Sequence, residues 1–446
     1  MKRILIVSIV LGILSGCGKS GSGSGELTGV EGRKSYFEPD PYGMVFVPQG
    51  SYNMGPSDQD VAWSQNAVSK TVSIDAFWMD ETEITNNEYR QFVFWVKDSI
   101  MRRKLGETDE VFLVSEDANG NPIDPPRINW DEEIDFESED VREAIKDMYL
   151  QQNERFYSHN EIDTRQLNYD YYWVDLQQAA KKSNRYNFDT KQYSGYVVNQ
   201  LGEQVQIQDR SAFIMRDNTN VYPDTLAWVA DFTYSFNEPL ATRYFWHPAY
   251  DDYPVVGVNW KQANAFCIWR TQLLNTTLES EGDNPVHDYR LPLESEWEYA
   301  ARGGLDHSMY PWGGMYTRNK QGCFVANFKP LRGNYADDGG LTTVKVGTYE
   351  PNEFGLYDMA GNVSEWCANA YDESAYMFTH DLNPDYKYNA KPSDPPSMKR
   401  KVVRGGSWKD IAYYLQNGTR TYEYQDTAKC FIGFRCVRTY LGSSSK

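Results

Sequence analysis

The stretch Gly355-Leu356-Tyr357-Asp358-Met359-Ala360-Gly361-Asn362-Val363-Ser364-Glu365-Trp366 most constrains what this chain can fold into. Its glycines admit positive φ and close backbone approach. Asp358 and Glu365 are hard oxygen donors seven positions apart, and Leu356, Tyr357, Met359 and Trp366 are large anchors. Two readings follow from the residues alone. The loop is a tight turn pinned by aromatics with its acids solvated. Or it wraps a hard cation, because Ca²⁺ takes about six to eight oxygens from carboxylates and carbonyls.

At 446 residues the chain has room for several domains, or for one large domain with insertions. Aromatic residues make up 15%, with 33 Tyr and 13 Trp. Tyr and Trp bury large area while keeping a polar end, so they suit a loop-rich core. A formal charge of −19 argues against a nucleic-acid partner, which needs a basic face to release counterions. It also disfavours direct docking on anionic lipid.

The N-terminus has the form of an export signal. Lys2 and Arg3 precede an apolar run at residues 4–14, then Leu14-Ser15-Gly16-Cys17. That run is too short to span a bilayer as a mature helix. A small-residue step ending on Cys resembles a bacterial lipobox, which makes residues 1–17 a lipoprotein signal and Cys17 the lipidated N-terminus. The alternative is an ordinary signal with an incidental Cys. Residues 18–42, opening on Gly and Ser, read as a tether.

Further along, residues 45–48 read as a strand and residues 71–79 as another, with Val72, Ile74 and Ala76 alternating. Thr85-Asn86-Asn87-Glu88 fits a capping box, and Tyr89, Phe92, Val93 and Val96 then share one helical face. Residues 97–247 change character. An acidic run at 131–140 precedes an amphipathic set, Val141, Ile145, Met148 and Tyr149, which predicts a second helix. Residues 168–173 form an aromatic-polar cluster, and residues 197–210 suggest a hairpin turning at Gly202. This block reads as an insertion, serving either as surface decoration or as a docking surface. Residues 253–260 read as a strand leading into a helix capped by Asn259, with Ala263, Phe266 and Cys267 facing inward. Another short helix follows Pro292 and is stopped by Gly303-Gly304. Five scattered His residues offer no zinc spacing, and neither Cys-x-x-Cys nor Gly-x-Ser-x-Gly occurs.

Seven ordered strings together resemble the formylglycine-generating-enzyme (sulfatase-modifying factor) family. They are Asp80-Glu81-Thr82-Glu83-Ile84-Thr85, Tyr253-Pro254-Val255, Arg290-Leu291-Pro292, Glu296-Trp297-Glu298-Tyr299-Ala300-Ala301-Arg302-Gly303-Gly304, the opening stretch, Arg404-Gly405-Gly406-Ser407-Trp408 and Gly433-Phe434-Arg435-Cys436. The resemblance implies an α+β, C-type-lectin-like fold with little regular secondary structure, built from residues 43–96 and 248–440 around a 97–247 insertion. The family's enzymes carry two copper-binding cysteines after the Arg-Gly-Gly-Ser string. Counted without a gap, those positions hold Asp410 and Leu415. Copper(I) prefers thiolate, which neither residue supplies, so no copper and no oxidase activity are expected.

The resemblance also implies two structural Ca²⁺ sites. One takes Asp358 and Glu365 with the carbonyls of Gly361 and Val363. The other takes Asn327 and Asp338 with the carbonyls of Phe328 and Gly340. It further implies a disulfide between Cys267 and Cys436, while Cys323, Cys367 and Cys430 stay unassigned. Within the family, Cys17, the string Met54-Gly55-Pro56-Ser57-Asp58-Gln59-Asp60-Val61, the helix after Thr85 and the long insertion resemble a lipoprotein branch. That branch belongs to the type IX secretion and gliding machinery. The resemblance implies a non-catalytic subunit anchored by lipid at the periplasmic face of the outer membrane. It would self-associate in a ring with GldN (PorN) and contact the GldL–GldM motor. The aromatic cluster at residues 169–173 is the expected contact, and removal of residues 110–240 is expected to spare the core.

Overall fold

Two long capped helices meet at the centre of the core. Thr85 and Glu88 exchange bonds across the first turn of α1 (Asn86–Gly106): the Thr85 hydroxyl accepts from the Glu88 N–H at 3.2 Å, and the Glu88 carboxylate accepts from the Thr85 N–H at 2.8 Å. Asn259 and Gln262 repeat the device, and the helix they start ends at Gly282, whose φ of +78° suits glycine. That helix spans Trp260–Glu281. Its Phe266 stacks on Tyr89 of α1 with centroids 5.6 Å apart, and its Trp269 packs on Phe92. Each such ring, fully buried, contributes about 1.5–3 kcal/mol.

The computed structural model describes residues 38–56, 68–116, 120–155, 157 and 159–442. Cys17, the tether as far as residue 37, and residues 57–61 of the lipoprotein-like string lie outside the described residues. Residues 41–440 cluster as one unit. Helices account for 27% and strands for 21%, an α+β composition.

One four-stranded sheet runs in the order β1 (Met44–Val47), β4 (Phe77–Asp80), β16 (Val437–Thr439), β11 (Tyr289–Arg290), all pairs antiparallel. A two-stranded hairpin, β2 (Gly50–Met54) with β3 (Lys70–Ile74), stands apart from it. The single strand expected at residues 71–79 is therefore two, broken at residues 75–76. Before the break, exposed and buried positions alternate; after it, Phe77, Trp78, Met79 and Asp80 are all buried. The second four-stranded sheet runs β14 (Thr421–Tyr424), β13 (Arg400–Arg404), β12 (Ser364–Ala370), β15 (Ile432–Gly433). Its β12 continues directly from the loop at residues 355–363.

Residues 253–258 form no strand. Their backbone groups are met by separate segments: the Val255 N–H donates to Ile84 O at 2.8 Å, and the Gly257 N–H to Lys429 O at 2.9 Å. A ladder needs one continuous partner, and none runs alongside. Between α1 and Trp260 lie three two-stranded antiparallel pairs, β5 (Leu113–Glu116) with β6 (Pro122–Ile128), β7 (Asn168–Val174) with β10 (Ile214–Asn220), and β8 (Tyr196–Val198) with β9 (Gln204–Gln206). Short helices α2 (Glu139–Ala144), α3 (Ala227–Asp231) and α4 (Glu238–Arg243) share the block; the Trp260–Glu281 helix is α5, and α6 is Glu294–Arg302. The second amphipathic helix is thus one and a half turns of α2 plus a 3-10 turn at Lys146–Met148, where Ile145 and Met148 bury against Met101 and Leu105.

The expected outward cluster at residues 169–173 is corrected by its register. Tyr169 and Tyr171 are buried in the central core, Tyr169 edge-on to Phe92 and donating its hydroxyl to Gln272 at 2.7 Å. Period-two alternation leaves Tyr172 outside. The Tyr89 hydroxyl donates to Val221 O, and the Gln262 amide donates to the carbonyls of Asn220 and Tyr222. The 97–247 block is therefore woven into the core, so its removal would strip that core rather than spare it.

Candidate functional site

The loop at residues 355–366 is held in left-handed turns at four places. Gly355 and Gly361 have φ of +89° and +84°, and the non-glycine residues Asp358 and Asn362 have φ of +54° and +55°. Side chains rarely accept that conformation, which concentrates at ligand clamps and other functional sites. At Gly361 a Cβ would lie 2.3 Å from the Asn327 carbonyl oxygen, so only glycine fits there.

Charge is concentrated on this loop. Glu365, wholly buried, receives the Arg435 guanidinium on both oxygens, Nη2 at 2.7 Å and Nε at 2.9 Å, and the Trp297 indole N–H at 2.7 Å. Glu83, equally buried, accepts from the Val363 N–H at 3.2 Å and the Asn362 amide at 3.0 Å. Burial, then Asp358 and Glu365, push the Glu83 carboxyl well above the usual range. Asp358 accepts from the Gly347 N–H at 2.7 Å through Oδ2, while its buried Oδ1 has no hydrogen-bond partner. Burial raises its carboxyl to about 6. Three buried carboxyl groups thus surround one guanidinium. An orphaned oxygen and an excess of acid fit a bound cation, which would neutralise the cluster and complete the bonding of Asp358. Asp358, Glu365 and the carbonyls of Gly361 and Val363 are the residues that would hold it. No group of three or more His, Cys, Asp or Glu side chains with metal-site geometry occurs among the described residues, so carbonyls must supply much of the shell.

The second set also comes together. Asp338 accepts from the Phe328 N–H at 2.6 Å and the Gly340 N–H at 3.1 Å, and burial raises its carboxyl. A Cβ at Gly340 would come within 2.7 Å of Asn327 Oδ1, so glycine keeps an oxygen-lined cradle open. These residues fit a hard cation as well.

The two positions that would carry cysteines are otherwise engaged. Asp410 closes a turn, accepting from the Ser407 hydroxyl at 2.6 Å and its N–H at 3.0 Å. Leu415 is 1% exposed and packs with Tyr310, Ala326 and Phe328. Cys430 is buried beside Trp408, and burial pushes its thiol up. Cys267 and Cys436 do lie side by side, sulfurs 3.5 Å apart and fully buried. The Cys436 N–H donates to the Asp80 carboxylate at 2.8 Å.

Helix α6 packs its acids inward. Glu298 binds Arg302 at 2.6 Å, accepts the Gly55 N–H at 2.9 Å and pairs with Arg404; Glu294 pairs with Arg420; Glu296 pairs with Arg290 at 2.6 Å. Glu83, Glu298, Arg302, Arg404 and Arg435 escaped the sequence reading as individual residues. Their signal was charge inside the strings at residues 80–85, 296–304, 404–408 and 433–436.

The profile described as the sulfatase-modifying factor enzyme 1-like domain matches residues 34–440. The chain belongs to this family. Within the sulfatase-modifying-factor family, it is 34% identical over 192 residues to inactive Cα-formylglycine-generating enzyme 2 of Bos taurus, covering 42% of this chain and 50% of that one. It is 32% identical over 190 residues to the formylglycine-generating enzyme of Thermomonospora curvata, covering 42% and 55%. It also matches serine/threonine-protein kinase pkn1 of Chlamydia pneumoniae, 31% identical over 191 residues, covering 43% and 25%. The chain spans about half the length of the formylglycine-generating-type relatives it matches. Among solved structures, PvdO from Pseudomonas aeruginosa aligns with a TM-score of 0.43 at 16% identity, covering 89% of this chain and 94% of that one.

Proposed function

We propose that this chain is a non-catalytic member of the sulfatase-modifying-factor family that works as an assembly subunit. The observation that carries the reading is the pair Asp410 and Leu415. One is a turn-closing carboxylate and the other a buried aliphatic, where the family's oxidases place copper-binding thiolates. Relatives that are 34% identical over some two-fifths of the chain include proteins named as inactive. The two oxygen clusters are taken as structural Ca²⁺ sites that hold loops 327–340 and 358–365 together.

The finer reading is a lipoprotein of the GldK/PorK type in the type IX secretion and gliding machinery. It rests on the Cys17 lipobox, the Met54–Val61 and Ile84–Val93 strings and the long internal block. Such a subunit is held to the outer membrane by acyl chains on Cys17 and forms a periplasmic ring with GldN (PorN) against the GldL–GldM motor. With Tyr169 and Tyr171 buried, the ring contact falls to the block's exposed rings, Phe188, Tyr234 and Phe236 among them.

Two measurements test this. Copper titration of the purified chain, followed by oxygen uptake with a cysteine peptide, is expected to give no turnover; turnover would restore the oxidase reading. Imaging of detergent-extracted material is expected to show large rings containing the partner. Monodisperse single copies would favour a surface thiol-oxidising enzyme or a lectin-like carbohydrate-binding module instead.

A further inference from the structure

Asn362 touches both oxygen clusters. Its backbone N–H donates to the Asn327 carbonyl at 2.8 Å. Its side-chain Oδ1 accepts from the Asn327 amide at 3.2 Å and from the Val344 N–H at 2.9 Å. Its Nδ2 donates to Glu83 at 3.0 Å. Asn362 is 1% exposed, as is Asn327. On either side in sequence stand Gly361 and Val363, whose carbonyls belong to the first set, while Asn327 belongs to the second.

We propose that Asn362 couples the two cation sites, so that filling one strengthens the other. This rests on the reading of the two clusters as Ca²⁺ sites, which the orphaned Asp358 Oδ1 and the glycine cradles support. The physical link is the planar amide. A cation held by Asn327 Oδ1 fixes the plane of that amide and so aims its Nδ2 at Asn362 Oδ1. The same amide is tied on its other donor to the Thr342 carbonyl at 2.9 Å. With Asn362 held by Asn327, Val344 and Glu83 at once, its positive-φ backbone is fixed, and so are the flanking carbonyls of Gly361 and Val363. Loop ordering needed for the first cation is then already in place when the second is bound, which is positive cooperativity through a shared element. Glu83 is a positioning residue in this scheme: it anchors the far end of the Asn362 amide and the Val363 N–H.

The test is Ca²⁺ titration calorimetry on the chelator-stripped full chain. Asp338→Asn weakens the second site without touching the first. In the native background it is expected to lower first-site affinity about five- to tenfold, the lower end of ordinary coupling. In an Asn362→Gly background, which keeps positive φ but deletes the amide, Asp338→Asn is expected to leave first-site affinity unchanged. Asn327→Asp is the second variant, should Asn362→Gly not fold: it retains a ligand oxygen but replaces the donor facing Asn362. Two bound Ca²⁺ ions with first-site affinity indifferent to Asp338→Asn in the native chain would overturn the coupling and leave the cation sites standing. Failure to bind Ca²⁺ at all would remove the sites and the coupling with them. A native-background effect that persists in both Asn362→Gly and Asn327→Asp would show that the coupling does not run through Asn362.

Discussion

The Trp228 ring lies nearly parallel to Trp408, with centroids 6.1 Å apart and planes 18° off. One belongs to the long internal block, the other to the Arg404-Gly405-Gly406-Ser407-Trp408 string. Phe232 leans on the same Trp408 at 5.3 Å, and Asp231 grips the next segment, its carboxylate accepting from Lys429 at 3.0 Å and from the Cys430 N–H at 3.1 Å. The block thus packs on the face formed by Trp408, two residues from Asp410, alongside Tyr335.

Because Trp228 is 2% exposed, Trp228→Ala should cost about 3–5 kcal/mol, the range for a large ring removed from a core. Thermal melts followed by circular dichroism would show it as a lowered Tm. Deletion of residues 110–240 should abolish the cooperative transition, since it takes Tyr169, Tyr171, Val221 and Trp228 from the core together. A deleted chain that still melts sharply would mean the block is peripheral after all.

Lys401 is fully buried, donates to the Tyr388 carbonyl at 2.8 Å, and stands 3.7 Å from the centroid of the Trp260 ring. The charged groups that act on it are Lys387 and Lys261, which oppose its charge, and Asp426, which favours it. Burial brings its ammonium down to about 7 from an ordinary 10.5. A folded pKa below the unfolded one means the neutral amine is the form the fold prefers. The resulting penalty is absent above pH 10.5, grows as pH falls towards 7 and is constant below. Lys401→Met should therefore stabilise the protein by about 1–4 kcal/mol at pH 6, and the gain should shrink as pH rises to 10. Denaturant midpoints measured across that range decide it; a gain independent of pH would refute the assignment.

How far the chain could be read without its structure follows from the kind of information each element uses. The helices at Thr85 and Asn259 are local events: cap, N3 partner and apolar face all lie within a dozen residues, and both were legible. Residues 253–258 were not, because Ile84, Asp224 and Lys429 satisfy their neighbourhood from distant positions. Residues 168–173 showed an aromatic-polar cluster, yet the sequence could not say that they pair as a strand or that α1 and α5 cover one of its faces. The loop at residues 355–366 showed its acids, while Arg435 and Glu83, which lie 70 and 282 positions from Glu365, became partners only through the fold.

Glu298 pairs with both Arg302 and Arg404, and all three are buried. Glu298→Ala should leave two guanidinium groups short of charge and cost about 3–5 kcal/mol, read as a lower urea midpoint. An unchanged midpoint would mean Glu294, whose nearest oxygen is 3.8 Å from Arg404, can take over the pairing.

Removal of Ca²⁺ by chelator should lower the Tm, because a ligand that binds only the folded form at 100 times its Kd adds about 2.7 kcal/mol. Asp358→Asn retains an acceptor for the Gly347 N–H but loses a carboxylate, so its Tm should respond to chelator much less than that of the native chain. Differential scanning calorimetry with and without added Ca²⁺ separates these cases. Equal chelator responses in the two proteins would place the cation elsewhere.

Cys267 on α5 and Cys436, just before β16, are the only pair of cysteine sulfurs brought within 4 Å among the described residues. They tie a central helix to the end of the chain across 169 positions, so a bond there would remove much of the freedom of the unfolded state. Folded in an oxidising medium, the pair should close, and alkylation under non-reducing conditions should leave both thiols unlabelled. Cys267→Ser should then cost about 3–5 kcal/mol against the oxidised protein and little against the reduced one. Because both thiols are fully buried, labelling must be done on denatured protein; alkylation at both positions after oxidative folding would show that the packing of α5 against β16 holds them as thiols.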